Sequence, residues 1–418
     1  MREETVHRQI DTDRLDERRA EPARLRPLVR WAVAVMVVVH GLIHLFGASK
    51  GLGWSDVSQL KEPIGTAAGA VWLAAAVLTV GAGVMLAASI RGWWIVGVVA
   101  ATISQAVIAT SWSDAKAGTI ANVVVLGAAV YGAAANGPTS FSAEYRRRVA
   151  SALTRTVDSP TVTEDDLTAL PTPVAAYLRG SGAVGQPRIN NFRADIHGRI
   201  RGGPNKPWMA FTGEQVNTFG ANPSRSFRMD ATMFALPVDV LHIFADATAT
   251  MRVKACSLFP MVNASGPEMD RAETVTVFND LCVLAPAAII GAPITWRSGC
   301  DDHHAHGTFT NRTHTVTAEL TFNHEHELVD FVSDDRMGMF DGRTFIPRRW
   351  STPISAYRII RSRRVGTFGE GRWHAPAPDG EYTYLEFNLD DIVYNVASTG
   401  KDSHSGQHGA TPCGTRRP

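Results

Sequence analysis

Apolar and polar positions divide this chain into a charged start, an almost uncharged stretch from 31 to 142, and a remainder in which charged residues are again frequent. Four apolar stretches stand in the first third: Trp31–Ala48, Ile64–Ile90, Gly92–Ser113 and Ala117–Ser142. Each is close to the roughly 20 residues that a helix needs to cross a bilayer. They predict a four-helix transmembrane bundle. Asn136-Gly137-Pro138 cuts the fourth span short, because glycine and proline interrupt a helix. Gly65 and Gly69 give the small-residue spacing that lets two helices approach. Trp93, Trp94 and Trp112 stand at span ends, as interfacial anchors do.

After the spans, Glu144–Thr156 is basic and amphipathic and is predicted to lie on the membrane surface. Thr163-Glu164-Asp165-Asp166 reads as a capping box opening a short helix. Val174–Leu178 forms a second short helix, closed by Ser181-Gly182. From residue 189 the period becomes two. Phe192, Ala194, Ile196, Gly198 and Ile200 alternate with polar residues. The same pattern recurs at Phe227, Met229, Ala231 and Met233, at Ala247, Ala249, Met251 and Val253, at Val316, Ala318, Leu320 and Phe322, and at Thr383, Leu385, Phe387 and Leu389. Strands with one apolar face that follow each other without long helices form an antiparallel sheet. One helix interrupts, around Glu273–Ile290, and is the candidate cover for the apolar face.

The expected class is therefore an α+β membrane protein: four transmembrane helices, then a curved, mostly antiparallel, half-barrel-like sheet with one covering helix. The expected divisions are a charged segment 1–30, the spans 31–142, a helical linker 143–186, the β-rich unit 187–397 and a disordered tail 398–418. The tail is Gly, Ser, His and Pro without periodicity.

Charge fixes the expected orientation. With the N-terminus inside, the inner segments hold Arg24, Arg26, Arg30, Arg91, Arg146, Arg147 and Arg148, and the outer ones only Lys50, Lys61 and Lys116. An even number of spans then places the β-rich unit on the cytoplasmic side of the cell membrane. The first 30 residues, with eight arginines and seven carboxylates, are too long and mixed for the start of a cleaved signal peptide. The net charge of +1 gives no bulk basic field for nucleic acid. Cys256, Cys282, Cys300 and Cys413 form no C-x-x-C pair.

Candidate chemistry is sparse. His40 and His44 share one helix face within a span, where Ser104, Gln105 and Asn122 can meet them. Intramembrane ionisable groups invite a proton path, a quinone site or haem ligation. The plainer reading is a neutral pair hydrogen-bonded across helices, since no carboxylate lies within a span. In Asp301-Asp302-His303-His304-Ala305-His306, a hairpin tip at Asn311-Arg312 pairs Phe309 with His314 and His306 with Thr317. This leaves His304, His306 and Glu319 on the outer face, and no metal or cofactor is assigned. Asn279 and Asp280 either turn the chain or line a pocket. Asp334 and Asp335 lie on a strand end beside Arg336, pointing to opposite faces, and either acid can pair with that arginine.

Separated strings carry a family resemblance: Glu273-Thr-Val-Thr-Val-Phe-Asn-Asp280, Ala285-Pro286, Trp296, Ala318-Glu-Leu-Thr-Phe-Asn323, Phe331-Val-Ser-Asp-Asp-Arg336, Trp350-Ser-Thr-Pro353 with Tyr357, Trp373, and Asp391-Ile-Val-Tyr-Asn-Val396. With Leu170-Pro171 and Tyr177-Leu178, residues 165–398 resemble an uncharacterised bacterial domain-of-unknown-function family, whose members carry an N-terminal multi-span segment. The resemblance implies a β-rich domain similar in pattern to half-barrel carriers of lipids and lipoproteins. Two turns depart from it, at His324-Glu325-His326 and at Arg361–Arg364.

The reading that joins these points is a membrane-anchored module. Its β-unit binds a lipid-like or apolar ligand near the bilayer, with Asn279, Asp280, Asp334, Arg336, Trp350 and Tyr394 as the polar and aromatic lining. The alternatives are a membrane-bound hydrolase using Asp280 or Asp334 with a histidine, and a scaffold or signalling protein.

Overall fold

A computed structural model describes residues 22–154, 159–299, 301–340 and 344–397. The expected tail, most of the charged N-terminal segment, Cys300 and Cys413 lie outside them. Helix α1 (Pro22–Gly51) begins nine residues before the apolar run. It is followed by α2 (Thr66–Ala87), α3 (Trp93–Thr110), the short α4 (Trp112–Ala115) and α5 (Gly118–Asn136). Four of the described helices are long and apolar enough to cross a membrane. A β-carbon on Gly69 would lie 2.7 Å from the backbone of Gly51, and Gly41, Gly47 and Gly83 are as tightly placed, so these glycines let α1 and α2 touch. Trp93, at the start of α3, is buried against Gly132, whereas Trp112 is exposed.

The chain turns at Gly137-Pro138 and Ser140 caps α6 (Phe141–Leu153) by accepting from the Ala143 amide at 3.1 Å. The amphipathic stretch does not spend its apolar face on a membrane surface. Phe141, Tyr145, Val149 and Leu153 pack against Val216, Leu241 and Ile243 of the sheet, and Arg146, Arg147 and Arg148 face outward. One half of the capping box forms: Asp166 accepts from the Thr163 amide at 2.9 Å and from its hydroxyl at 3.1 Å. Helix α7 (Thr172–Gly180) then ends at Gly182, whose φ is +73°.

Sixteen strands follow among the described residues, and every strand pairing is antiparallel. They are β1 (Asn191–Ile200), β2 (Met209–Thr218), β3 (Ser224–Met233), β4 (Leu236–Ala245), β5 (Thr248–Ala255), β6 (Phe259–Ser265), β7 (Ile294–Ser298), β8 (His304–Asn311), β9 (His314–Phe322), β10 (Leu328–Ser333), β11 (Met337–Met339), β12 (Phe345–Pro347), β13 (Trp350–Ser351), β14 (Ile354–Ile360), β15 (Arg363–His374) and β16 (Glu381–Tyr394). Fourteen form one curved sheet in the order β6-β5-β4-β3-β2-β1-β16-β15-β13-β10-β9-β8-β7, with β14 added beside β15; β11 and β12 pair separately. Opposite Asp195 and Ile196 the register shifts, leaving Asp390 as a bulge. The alternation of Leu385, Phe387 and Leu389 therefore slips by one before Ile392 turns inward.

The β8–β9 register also differs from expectation. Phe309 faces Val316 and His306 faces Glu319, because the two-residue turn is Arg312-Thr313, one residue later than Asn311-Arg312. A slip of two keeps every side chain on its face. Ala305, Phe309, Val316 and Ala318 remain inside, and His304 outside pairs with Asp301 at 2.7 Å.

The covering helix is α8 (Pro267–Leu284), six residues longer at its start than its apolar pattern suggests; Pro286 then opens a 3-10 turn. It crosses the concave face, and from Ala272 to Ile289 all residues are buried. Phe278 stacks on Phe309 at 5.3 Å between ring centroids and meets Phe331 edge-on at 5.2 Å. The strands β2–β4 are thus buried on both faces, by α8 on one side and α6 on the other.

Candidate functional site

On β2, β3 and β4 the pleat places Gln215, Asn217, Arg225 and His242 in phase with the core residues Phe211, Phe227 and Val240. These polar side chains therefore point at α8. Glu273 and Asp280 lie seven residues apart, two helical turns, and so return to one side of α8. The Asp280 Oδ2 accepts from Gln215 Nε2 at 2.8 Å, Asn217 Nδ2 at 2.9 Å and Arg225 Nε at 2.8 Å. Arg225 also places Nη1 3.3 Å from Glu273 Oε2 and donates to His242 Nδ1 at 3.3 Å. His242 Nε2 lies 3.2 Å from Glu273 Oε1.

Arg336 approaches from the other half of the sheet. It donates to Thr276 Oγ1 and to the Ala272 carbonyl, stands 3.9 Å from Glu273, and stacks 4.4 Å over the Trp350 ring. Two guanidinium groups and two carboxylates balance in this buried network.

The titration of the cluster follows from its burial. Burial pushes the Asp280 carboxyl up, against the opposing pull of Arg225 and Asn217. Burial alone would raise Glu273 too, but the field of His242, Arg225 and Arg336 outweighs it and leaves its pKa lowered. Burial drives His242 down to about 4, against the pull of Glu273. The imidazole is therefore neutral near pH 7, and the two arginines hold the Glu273 charge. Asn279 Nδ2, Arg336 Nε and Trp350 Nε1 are buried here without a hydrogen-bond partner.

Of the residues expected to form the lining, Asn279, Asp280, Arg336 and Trp350 gather under α8. Tyr394 lies at the other end of the helix, donating to the Leu284 carbonyl at 2.8 Å, beside Tyr177, which donates to the Cys282 carbonyl at 2.9 Å. Asp334 is outside the cluster: its side chain is 71 % exposed and pairs with Arg349 at 3.2 Å. Asp335 takes Arg271 and the Thr317 amide. Neither acid pairs with Arg336, which is drawn away by Glu273 and Thr276. Asn279 and Asp280 make no turn; they sit mid-helix. Sequence reasoning missed Gln215, Asn217, Arg225 and His242. The signal was present, since stepping back two from Phe227 puts an arginine in an apolar phase.

A second polar cluster lies among the apolar helices. His40 Nε2 is 2.9 Å from Asn122 Oδ1 and His44 Nε2 is 2.6 Å from Ser104 Oγ, while Ser104 donates to Asn122 at 2.8 Å. Asn122 donates to Gln105, which donates to Thr119. An apolar cleft of about 380 Å³, lined by His40, His44, Trp72 and Ile108, opens beside this chain. A third constellation, Ser351 Oγ to His374 Nε2 at 2.9 Å and His374 Nδ1 to Glu381 at 3.2 Å, has the order of a nucleophilic relay. Ser351 is 2 % exposed, so the relay reaches no substrate and instead ties β13 to the ends of β15 and β16.

These features define the class: four apolar helices joined to an antiparallel half-barrel closed by one helix. The chain belongs to DUF6544, a family of unknown function, whose model matches residues 160–387. No curated protein matches it. Among solved structures, a putative outer membrane lipoprotein-sorting protein domain from Vibrio parahaemolyticus is 8 % identical, with a TM-score of 0.30 over 51 % of this chain and 88 % of its own. A DUF1329 family protein from Desulfovibrio piger is 9 % identical, with a TM-score of 0.32 over 54 % and 92 %. A LolA superfamily protein from Nitrosomonas europaea is 11 % identical, with a TM-score of 0.30 over 52 % and 92 %. Likeness at this level does not extend to what any of them binds.

Proposed function

We propose that this protein is a membrane-anchored binding module. The four apolar helices cross the cell membrane, the β-rich unit lies on the cytoplasmic side, and a lipid-like or apolar molecule is taken up between the sheet and α8. The observation that carries this reading is how α8 is fastened. The concave face is apolar, yet near its middle the helix is held by Asp280 and Glu273 on Arg225 and Arg336, with three unpartnered polar atoms beside them. Buried unpaired groups in a folded protein call for a missing partner. An ionic fastening can be exchanged for water when the helix lifts.

In the closed state Phe278 and Leu281 fill the space, so the ligand replaces α8 side chains rather than entering a standing hollow. The test is photo-crosslinking of a phospholipid carrying a diazirine in its acyl chain to the full-length protein. Adducts on the peptides holding Asn279–Leu284, Phe331 or Trp350, with a yield raised by Asp280→Asn, support the reading. Adducts confined to α1–α5 end it.

A further inference from the structure

Two neighbouring hairpins end in large apolar residues that nothing in the fold covers. Phe234, at the β3–β4 turn, is 79 % exposed; Phe259 and Met261, on the edge strand β6, are 64 % and 60 % exposed, and Leu236 and Leu258 lie between them in the same patch. The turn residues Phe234 and Ala235 have φ of +49° and +64°. A bulky aromatic in the left-handed region at an exposed turn gives the fold nothing.

Their place relative to the apolar helices is fixed by α6. Near its start Ser142 accepts from Arg228 at 2.9 Å; at its end Leu153 and Thr154 share a groove with Ser224 and Ser226. Strand β3 therefore runs from the end of α6 back to its beginning and continues past it. From Asp230 to Phe234 the strand advances four more residues, roughly 13 Å. Asp239 and Lys254, on the strands, and Ser257, in the β5–β6 turn, share a small gap with Ala134 and Ala135, from the last turn of α5. Arg146 and Arg147 are exposed on α6, Arg148 lines the groove toward its end, and Lys254 lies 4.6 Å over the Phe141 ring near its start.

We propose that the β3–β4 and β5–β6 tips dip into the leaflet that α5 leaves, giving the β-rich unit a second, peripheral hold on an anionic phospholipid surface. The proposal rests on the reading that α5 crosses a membrane, and not on any ligand beneath α8. Exposed apolar tips supply insertion, and the adjacent arginines supply attraction to lipid phosphates. Such a contact fixes the tilt of the sheet and keeps the α8 side at a constant height above the lipid.

The test uses full-length protein with its native cysteines replaced. One variant is Phe234→Cys and the other Ile359→Cys, on β14 in the far half of the sheet, each carrying an environment-sensitive fluorophore. Both are reconstituted in vesicles of phosphatidylethanolamine and phosphatidylglycerol. The expected result is blue-shifted emission at 234, quenched several-fold more than at 359 by nitroxide on lipid acyl chains. Water-like emission at both sites overturns the proposal. So does a shift at 234 that lipid-borne nitroxide does not quench, which would mean a second copy or another protein covers the tips. A chain that does not float with the vesicles overturns the anchoring reading and this proposal together; a floating chain with an unquenched 234 overturns this proposal alone.

Discussion

Arg225 holds two carboxylates at once, and the cost of losing it differs in kind from the cost of losing an exposed ion pair. Replacing it with methionine leaves Asp280 and Glu273 buried without their nearest cation, which costs about 3–5 kcal/mol. Asp334→Ala removes a pair already in water and changes stability by about 0–1 kcal/mol. Thermal unfolding of the purified full chain separates the two. Titration adds a second contrast. Burial holds His242 at a pKa of about 4, below its ordinary 6.5. Unfolding therefore takes up a proton, and the stability present above pH 6.5 falls away as the pH drops toward 4. Asp330 runs the other way. Burial on the convex side raises it from 3.8 to about 6, so its contribution is whole below pH 3.8 and lost as the pH rises through 6. Between pH 4 and 6 the two slopes oppose each other in the wild type. His242→Gln should leave a stability that declines with rising pH in that window, and Asp330→Asn one that climbs. Melting curves at stepped pH check both, and equal profiles in the two variants would refute the assignment.

At the scale of elements, period explains what the sequence revealed and what it concealed. The one-sided strands and the apolar helices were legible because their repeats are set by burial on one face. The tight turns were not. Phe234-Ala235, Asp246-Ala247, Cys256-Ser257 and Arg361-Ser362 all adopt left-handed φ without a single glycine, so no Asn-Gly signal marked them. The two turns that depart from the family pattern keep that geometry, with His326 and Arg361 in the left-handed region. Helix α8 was legible as a helix but not in its fastening. Thr274-Val-Thr-Val-Phe278 is β-branched and favours strands; it is helical because every side of it is buried, and Thr274 and Thr276 return their hydroxyls to the carbonyls of Asp270 and Ala272. Arg225 escaped notice because it stands one step beyond the apolar run it shares a face with. The C-terminal end of α8 gives a prediction of its own. Tyr177 and Tyr394 satisfy the Cys282 and Leu284 carbonyls, so Tyr177→Phe and Tyr394→Phe should each cost about 1 kcal/mol. Hydrogen exchange should quicken at the last turn of α8, while the β2–β4 amides stay protected; exchange that quickens evenly across the sheet would contradict a local role.

Across the whole molecule, two separate demands meet at α6. The apolar helices leave Val77, Ile120 and Val123 exposed on their outer faces, which the proposed anchoring covers with lipid, and the sheet needs cover on both faces of β2–β4. Because α6 gives its apolar side to Val216, Leu241 and Ile243, its three arginines are left at the junction, where α5 ends and the sheet begins. On the proposed membrane-anchored reading, that junction biases orientation. Seven basic residues lie on the side of the junction and three on the other, and arginine and lysine in short loops are retained on the cytoplasmic face. On the proposed reading of four spans, the N-terminus, the Arg91 turn and the β-rich unit share one compartment, while Lys61 and Lys116 face the other. A phosphatase that is active only outside the cytoplasm should therefore be silent when fused after Pro418 and active when inserted at Lys61. The reverse pattern would put the sheet, the α8 network and the free thiols of Cys256 and Cys282 outside the cell's reducing interior. Replacing Arg146, Arg147 and Arg148 by glutamine should weaken the bias to four against three and yield a mixed topology, with phosphatase activity appearing at both fusion points. A fully retained orientation in that variant would mean that the folded sheet, and not the charge of the junction, holds the chain in place.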